Sequence, residues 1–279
     1  MTVSGARDTN APAPLALRIL AVYLAATVVP AIRGGVRGEG AWPFAVAHVV
    51  LLAISLMLIS RRANSSAAAW LPLLAVPVLY ASLPTLIAGL DGRMHDGVVQ
   101  GWEGGVFGQS PAATLAGRYP YRGISELLHL AYLSYYPVIY LPPLLLFLRG
   151  QRPAFDRTTA ALVTTYAVCF AVFVVFPVEG PRFAWAPPAG IPDGPVRRFT
   201  LRLLAAGSSR GAAFPSSHVA VAVTQAVVAL RCQRAVGIVV SVCAALLSLG
   251  AVYGGFHYGI DVLAGAAVGL LIGSGFLLR

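Results

Sequence analysis

Phe214-Pro215-Ser216-Ser217-His218 and Tyr253-Gly254-Gly255-Phe256-His257-Tyr258-Gly259-Ile260-Asp261 stand at the two ends of one apolar excursion. The roughly 34 residues between them are almost wholly apolar, apart from Arg231-Cys232-Gln233-Arg234 in the middle. That length suffices for two helices that cross a bilayer and return. Both histidines then fall on the same side of the membrane, near its surface.

His257 and Asp261 are four apart at the start of an apolar run, Ile260 to Leu278. On a helix this spacing puts both side chains on one face, about 5–6 Å apart at Cβ. A carboxylate there can take one imidazole N–H and leave the other nitrogen free to attack. Pro215-Ser216-Ser217 before His218 reads as a helix start with a serine near its N-cap. Free amides at such a start attract phosphate.

These residues resemble the second and third motifs of the type 2 phosphatidic acid phosphatase superfamily, which includes lipid phosphatases and vanadium haloperoxidases. There the second motif is Pro-Ser-x-His and the third ends in His-x-x-x-Asp. Gly180-Pro181-Arg182 resembles the end of the first motif in the branch that contains inositol phosphorylceramide synthases. Phe107-Gly108 and the stretch from Glu126 through His129, Tyr132 and Tyr136 to Pro137 resemble that branch too. The resemblance covers Glu103 to Leu278. It departs at two cations: Val175 stands where the first motif commonly has lysine, and Ala251 where the third commonly has arginine. Arg210, or Arg197 and Arg198, are the candidate replacements.

The resemblance implies metal-independent transfer of a phosphoryl or phosphodiester group from a lipid, with no cofactor. His257 would be the nucleophile, Asp261 its orienter and His218 the general acid–base. Arg182, Ser216, Ser217 and Arg210 would bind the substrate phosphate. His129, Tyr132, Tyr136 and Glu103 are candidates for the substrate pocket, weighed against an interfacial aromatic belt and solvated caps. The expected substrate is a phospholipid or polyprenyl-type phosphate, with water or a hydroxyl as acceptor. A transporter or scramblase is the reading from another class.

Composition sets the surroundings. Of 279 residues, 58% are hydrophobic and 11% charged, which describes an integral membrane protein rather than a soluble domain. All 20 basic residues are arginine, giving a net charge of +10. They stand singly at helix ends and in loops instead of forming a stripe, which fits lipid headgroups and excludes nucleic acid as partner. Three cysteines without a close pair, Cys169, Cys232 and Cys243, offer neither zinc site nor disulfide framework. Asp91, His95 and Asp96 are the only other metal candidates, and adjacent loop residues chelate poorly. No cleavable signal peptide is expected, because the apolar run from Leu15 is too long and lacks a small-residue cleavage site.

The expected fold is all-α: a polytopic membrane bundle of about eight transmembrane helices (six to eight), at about 15–32, 43–60, 68–90, 124–148, 158–177, 214–230, 235–253 and 257–278. Residues 1–90 would form N-terminal membrane helices and 91–279 the catalytic membrane core. Segment 91–123, with Trp102 and Phe107, reads as an interfacial element, and 178–213 as a basic loop rich in Pro and Gly. Gly265, Gly269 and Gly273 form a small-residue ladder suited to close helix packing. Arg61-Arg62, Arg149, Arg152, Arg157, Arg231, Arg234 and Arg279 share one side, which places the termini in the cytoplasm of a bacterial plasma membrane and the site outside.

Overall fold

The structure is a computed structural model that describes residues 13–38, 41–61, 65–90, 92–186 and 191–278. Asp91, Arg62 and Arg279 therefore lie outside the described residues. Every named element is a helix.

The chain opens with α1 (Leu15–Arg37) and α2 (Trp42–Ser60), two apolar helices that pack against each other. α3 (Ser66–Ala81) and α4 (Leu83–Gly89) follow, bent by 60° at Ser82. Pro84 has no N–H for the Tyr80 carbonyl four residues back, and its ring crowds that oxygen, so the helix breaks there. α5 (Asp96–Phe107) and α6 (Pro111–Arg118) come next. α7 (Arg122–Leu133) and α8 (Tyr135–Leu148) meet at 42° across Ser134, where Pro137 has the same effect on Leu133.

α9 (Arg152–Val175) is the central post. It packs against α1, α3, α4, α8 and helices near the C-terminus, and buries Phe155, Tyr166, Phe170 and Phe173. After α9 come α10 (Pro181–Ala184), α11 (Pro195–Gly207), α12 (Ser217–Cys232), α13 (Arg234–Tyr253) and α14 (Gly259–Leu277).

Five helices (α1, α2, α9, α13 and α14) are long and apolar enough to cross a membrane, and the count rises to seven if each bent pair is one span. They mark an integral membrane protein. α12 accounts for the difference from the eight expected: at 16 residues it falls short of a full span. One buried apolar cluster runs from Leu20 of α1 through Leu73, Phe170 and Val221 of α12, across the boundary drawn at residue 90.

The glycine ladder fits α14 onto α12. A Cβ on Gly265 would collide with the Ser216 carbonyl, and one on Gly269 with the Ala220 carbonyl. The helices can touch backbone to backbone only because these positions lack a side chain. Thr224 of α12 adds two links: its hydroxyl lies 3.3 Å from the Gly269 carbonyl and 2.9 Å from Thr165 Oγ1 on α9.

The segments read as an interfacial element and a loop are partly helical. α5 and α6 occupy 96–118, and α11 lies within the segment 178–213. The ends of that segment are tied together: Ala213 N donates to the Val178 carbonyl (2.9 Å), and Val178 N to the Gly211 carbonyl (3.2 Å). The chain before α10 and the chain before α12 therefore lie side by side.

Candidate active site

The start of α12 and the turn that leads into α14 each deliver one histidine. His218 occupies the first turn of α12, where Ser216 is the N-cap and its hydroxyl accepts from Val219 N. His257 lies immediately before Tyr258, the N-cap of α14, with its amide donating to the Ala251 carbonyl at 3.1 Å. The two imidazole rings are 5.9 Å apart between centroids. That leaves room for one phosphorus centre, since reacting atoms approach to about 3–3.5 Å.

His257 Nδ1 has two acceptors in reach, the Ala213 carbonyl oxygen at 3.0 Å and Asp261 Oδ2 at 3.5 Å. Both accept, so Nδ1 carries the proton and Nε2 keeps its lone pair. The closer orienter is thus a backbone carbonyl that sequence reading did not find. Asp261 is fully buried, and its Oδ2 also accepts from Tyr258 N at 2.8 Å, so the carboxylate caps α14 while it faces the imidazole.

The His218 ring is flanked by Tyr132 (centroids 5.2 Å) and Tyr135 (4.1 Å). Tyr135 shares a 2.7 Å hydrogen bond with Tyr166 of α9, which fixes its ring. His218 Nδ1 is buried without a hydrogen-bond partner among the described residues. The two tyrosine rings fix the orientation of the His218 imidazole beside His257.

His218, His257 and Arg182 line a single small cavity of about 40 Å³, together with Tyr80, Tyr132, Glu179, Ser208 and Phe256. Gly180 makes the approach of Arg182 possible. Its φ is +89°, and a Cβ there would come within 2.9 Å of the Ala213 Cβ. Arg182 Nη1 donates to Ser208 Oγ at 2.7 Å, leaving further donors of the planar fork for phosphate oxygens.

The other expected site residues are distributed differently. Ser216 and Ser217 are buried and do not line the cavity. The Ser216 amide donates to the Asp261 carbonyl at 2.9 Å, which ties the start of α12 to the first turn of α14. Arg210 also stands off the cavity, in a 2.8 Å ion pair with Glu179. It therefore neutralises a carboxylate that faces the site. Of the candidate pocket residues, only Tyr132 lines the cavity. His129 is buried behind Phe256, at 5.7 Å between centroids, and its Nδ1 is 2.6 Å from the Ser125 carbonyl. Tyr136 is about half exposed. Val175 points outward, and Ala251 packs with Tyr132 and Phe256, so neither vacant cation position is filled in place.

Glu103 is a structural anchor, and so are two other carboxylates. Glu103 is buried; it accepts from Gly259 N (3.0 Å), Ile260 N (2.8 Å) and the Ser110 hydroxyl (2.8 Å). It thereby caps α14 from another helix, where a negative charge also meets the positive helix end. Asp96 accepts from Glu179 N and Gly180 N, both at 2.9 Å, and Glu126 from Val196 N and Arg197 N, both at 3.0 Å. The helical start of α5 at Asp96 thus holds the strand of chain that leads to Arg182. Tyr258, which receives a 2.8 Å hydrogen bond from Gln100, has its phenol pushed above the ordinary range by burial and stays a neutral hydroxyl. His95 stacks on Phe176 at 4.3 Å, and no group of three metal-ligating side chains occurs among the described residues.

A second cavity of about 210 Å³ adjoins the first and shares Arg182 and Phe256 with it. Its remaining lining includes Ala112, Ala113, Pro181, Trp185, Ile191, Arg197 and Leu201.

Paired histidine motifs meeting in one cavity are the arrangement that comparison with known families bears on directly. A family model described as PAP2 superfamily matches residues 105–274. The chain belongs to the PAP2 superfamily. The match spans every residue lining the small cavity except Tyr80. No curated protein and no solved structure matches the chain significantly. Membership in the PAP2 superfamily brings phosphatase-type activity in a membrane protein.

Proposed function

We propose that the protein is a membrane phosphohydrolase or phosphotransferase acting on a phosphorylated lipid through a phosphohistidine on His257. The observation that carries this reading is the convergence of His257, His218 and Arg182 on one small cavity. His257 Nε2 attacks phosphorus and the P–O bond to the lipid breaks, while His218 gives its proton to the departing oxygen. An acceptor hydroxyl, from water or an alcohol, then attacks the phosphohistidine. His218 takes its proton, the N–P bond breaks and His257 is regenerated. Arg182 neutralises the phosphate oxygens as charge builds on them.

No step in this scheme calls for a metal ion or cofactor. The substrate is a phospholipid or polyprenyl-type phosphate reaching the cavity from the bilayer. The arginine distribution along the short loops supports a plasma-membrane protein with its site on the extracytoplasmic face. Resemblance to the inositol phosphorylceramide synthase branch supports transfer to a hydroxyl as the alternative to hydrolysis.

Purified protein in detergent, given phosphatidate or a polyprenyl phosphate with chelator present, should release phosphate. Acid quenching below saturation should not preserve the intermediate, whereas alkaline quenching should trap phosphate on His257. A protein that releases no phosphate and carries no acid-labile phosphate contradicts the reading and leaves a transporter or scramblase in its place.

A further inference from the structure

The larger cavity sits apart from the spanning helices. Its described lining comes from α6, from α10 and the residues after it, from α11 with Ile191 before it, and from the turn Gly254 to Phe256. The small cavity, by contrast, takes Tyr80 from α3, Tyr132 from α7 and His218 from α12. A lipid chain arrives through the spanning layer, so a cavity whose described walls are short helices, loops and the turn between α13 and α14 suits something that arrives from water. It borders the small cavity, since Arg182 and Phe256 belong to both.

The walls also restrict what fits. Ala112, Ala113, Trp185, Ile191 and Leu201 present carbon. Among the described lining residues, the charged groups are Arg182, on the side of the small cavity, and Arg197, whose side chain is 17% exposed. Arg197 gives Nη1 to Asp193 at 3.0 Å and its backbone amide to Glu126, which positions the guanidinium and leaves other donors of its fork. A polyol such as inositol would bury several hydroxyls against these walls, each costing the desolvation of an unmade hydrogen bond. The volume is below the ~300–1,000 Å³ of sites for drug-sized ligands and matches a single small ring.

We infer that this outer cavity is an acceptor subsite for a small alcohol with an apolar or aromatic body and one anionic substituent directed at Arg197. The inference rests on the phosphohistidine reading above and names its second substrate. The alcohol oxygen forms the new bond to phosphorus, the bond to His257 Nε2 breaks and the alcohol proton passes to His218. The product is a phosphate ester of the alcohol instead of free phosphate.

The test is competition for the intermediate. Full-length protein in detergent turns over phosphatidate with 4-(hydroxymethyl)benzoate, benzyl alcohol, glycerol or myo-inositol at equal concentration. The readout is the ratio of transferred to hydrolysed phosphate, which cancels differences in the amount of folded enzyme. The ratio should be about tenfold higher for 4-(hydroxymethyl)benzoate than for either polyol, a discrimination within reach of one well-matched cavity. Leu201→Trp, which fills the cavity, should collapse that ratio, and Arg197→Gln should erase the advantage of the carboxylate over benzyl alcohol. A ratio that favours the polyols, or one that Leu201→Trp leaves unchanged, overturns the inference.

A second measurement decides the matter even if no phosphate is released from any lipid, the result that would sink the phosphohistidine reading alone. Titration with 4-(hydroxymethyl)benzoate should quench tryptophan fluorescence in the parent protein and fail to do so in Trp185→Phe. No saturable quenching in the parent overturns the subsite.

Discussion

His257 Nδ1 lies 3.0 Å from the carbonyl oxygen of Ala213 and 3.5 Å from Asp261 Oδ2, so a backbone group is the nearer partner of the proposed nucleophile. A carbonyl cannot be deleted by mutating its side chain, and it holds the tautomer whatever stands at 261. This lowers the expected cost of losing the Asp261 charge. His257→Ala should abolish turnover. Asp261→Asn should reduce kcat by about 10- to 100-fold, the loss of one charge-assisted hydrogen bond, against the ~10⁴ that follows loss of the aspartate in a serine-protease triad. Steady-state kinetics on both variants checks this, and an Asp261→Asn enzyme as dead as His257→Ala would make the carboxylate the true orienter.

Arg182 is the sole arginine lining the small cavity among the described residues. Arg182→Ala should therefore lower kcat/KM by about 2–3 kcal/mol of transition-state stabilisation, near a hundredfold. Arg182→Lys should restore only part, because an ammonium cannot grip two oxygens in one plane. Full activity in Arg182→Ala would remove this residue from the site.

Arg210 acts through Glu179. Removing the arginine leaves a carboxylate on the cavity wall uncompensated, opposite an anionic substrate. The arginine is 62% exposed while Glu179 is 22% exposed, so water screens the pair from one side and the effect is modest. Arg210→Ala should raise KM by up to about fivefold, corresponding to ~1 kcal/mol for an exposed pair. The double variant Arg210→Ala/Glu179→Gln should bring KM back. Failure of that rescue would mean that Arg210 meets the substrate itself.

Glu103 should matter to stability before chemistry. Glu103→Ala strips α14 of acceptors for Gly259 N and Ile260 N, and should cost about 1–2 kcal/mol, in the range of a lost helix cap. Thermal unfolding in detergent should show a lower midpoint, with Glu103→Gln in between. An unchanged midpoint would count against the anchoring role.

Activity should survive EDTA and dialysis. The carboxylates at and around the site are already engaged: Glu179 pairs with Arg210, Asp261 Oδ2 accepts from Tyr258 N, and Asp96 and Glu103 accept from backbone amides, a poor start for a divalent-ion site. Strict dependence on an added divalent ion would refute this.

The sequence revealed the site's side chains better than their supports. His218, His257 and Asp261 were legible because motif spacing and an out-and-back apolar run put them together. The glycine ladder was legible because period-four small residues have one physical use in a helix pair. The Ala213 carbonyl was not, since backbone groups have no residue signature. Glu103 and Glu126 looked like headgroup contacts or solvated caps, because a carboxylate that caps a helix distant in sequence leaves no local pattern. α11 was hidden by the prolines and glycines around it, although Thr200, Leu201 and Leu204 already carried a helical period of inward positions. The breaks at Ser82 and Ser134 follow from Pro84 and Pro137, whose effect on spans depends on neighbours that one segment does not disclose.

The glycine-matched contact between α12 and α14 has a consequence for how such a protein can change. The spacing between the two histidines is set where backbone meets backbone, with no side chain between to vary. Walls supplied by α6, α10 and α11 are built on separate elements, held by carboxylate clasps at their ends. Substitutions that reshape the walls can therefore accumulate without altering the reacting distance, while a single added methyl group at Gly265 would shift it. Inheritance of the chemistry and divergence of what it is applied to are assigned, in this fold, to different parts of the chain.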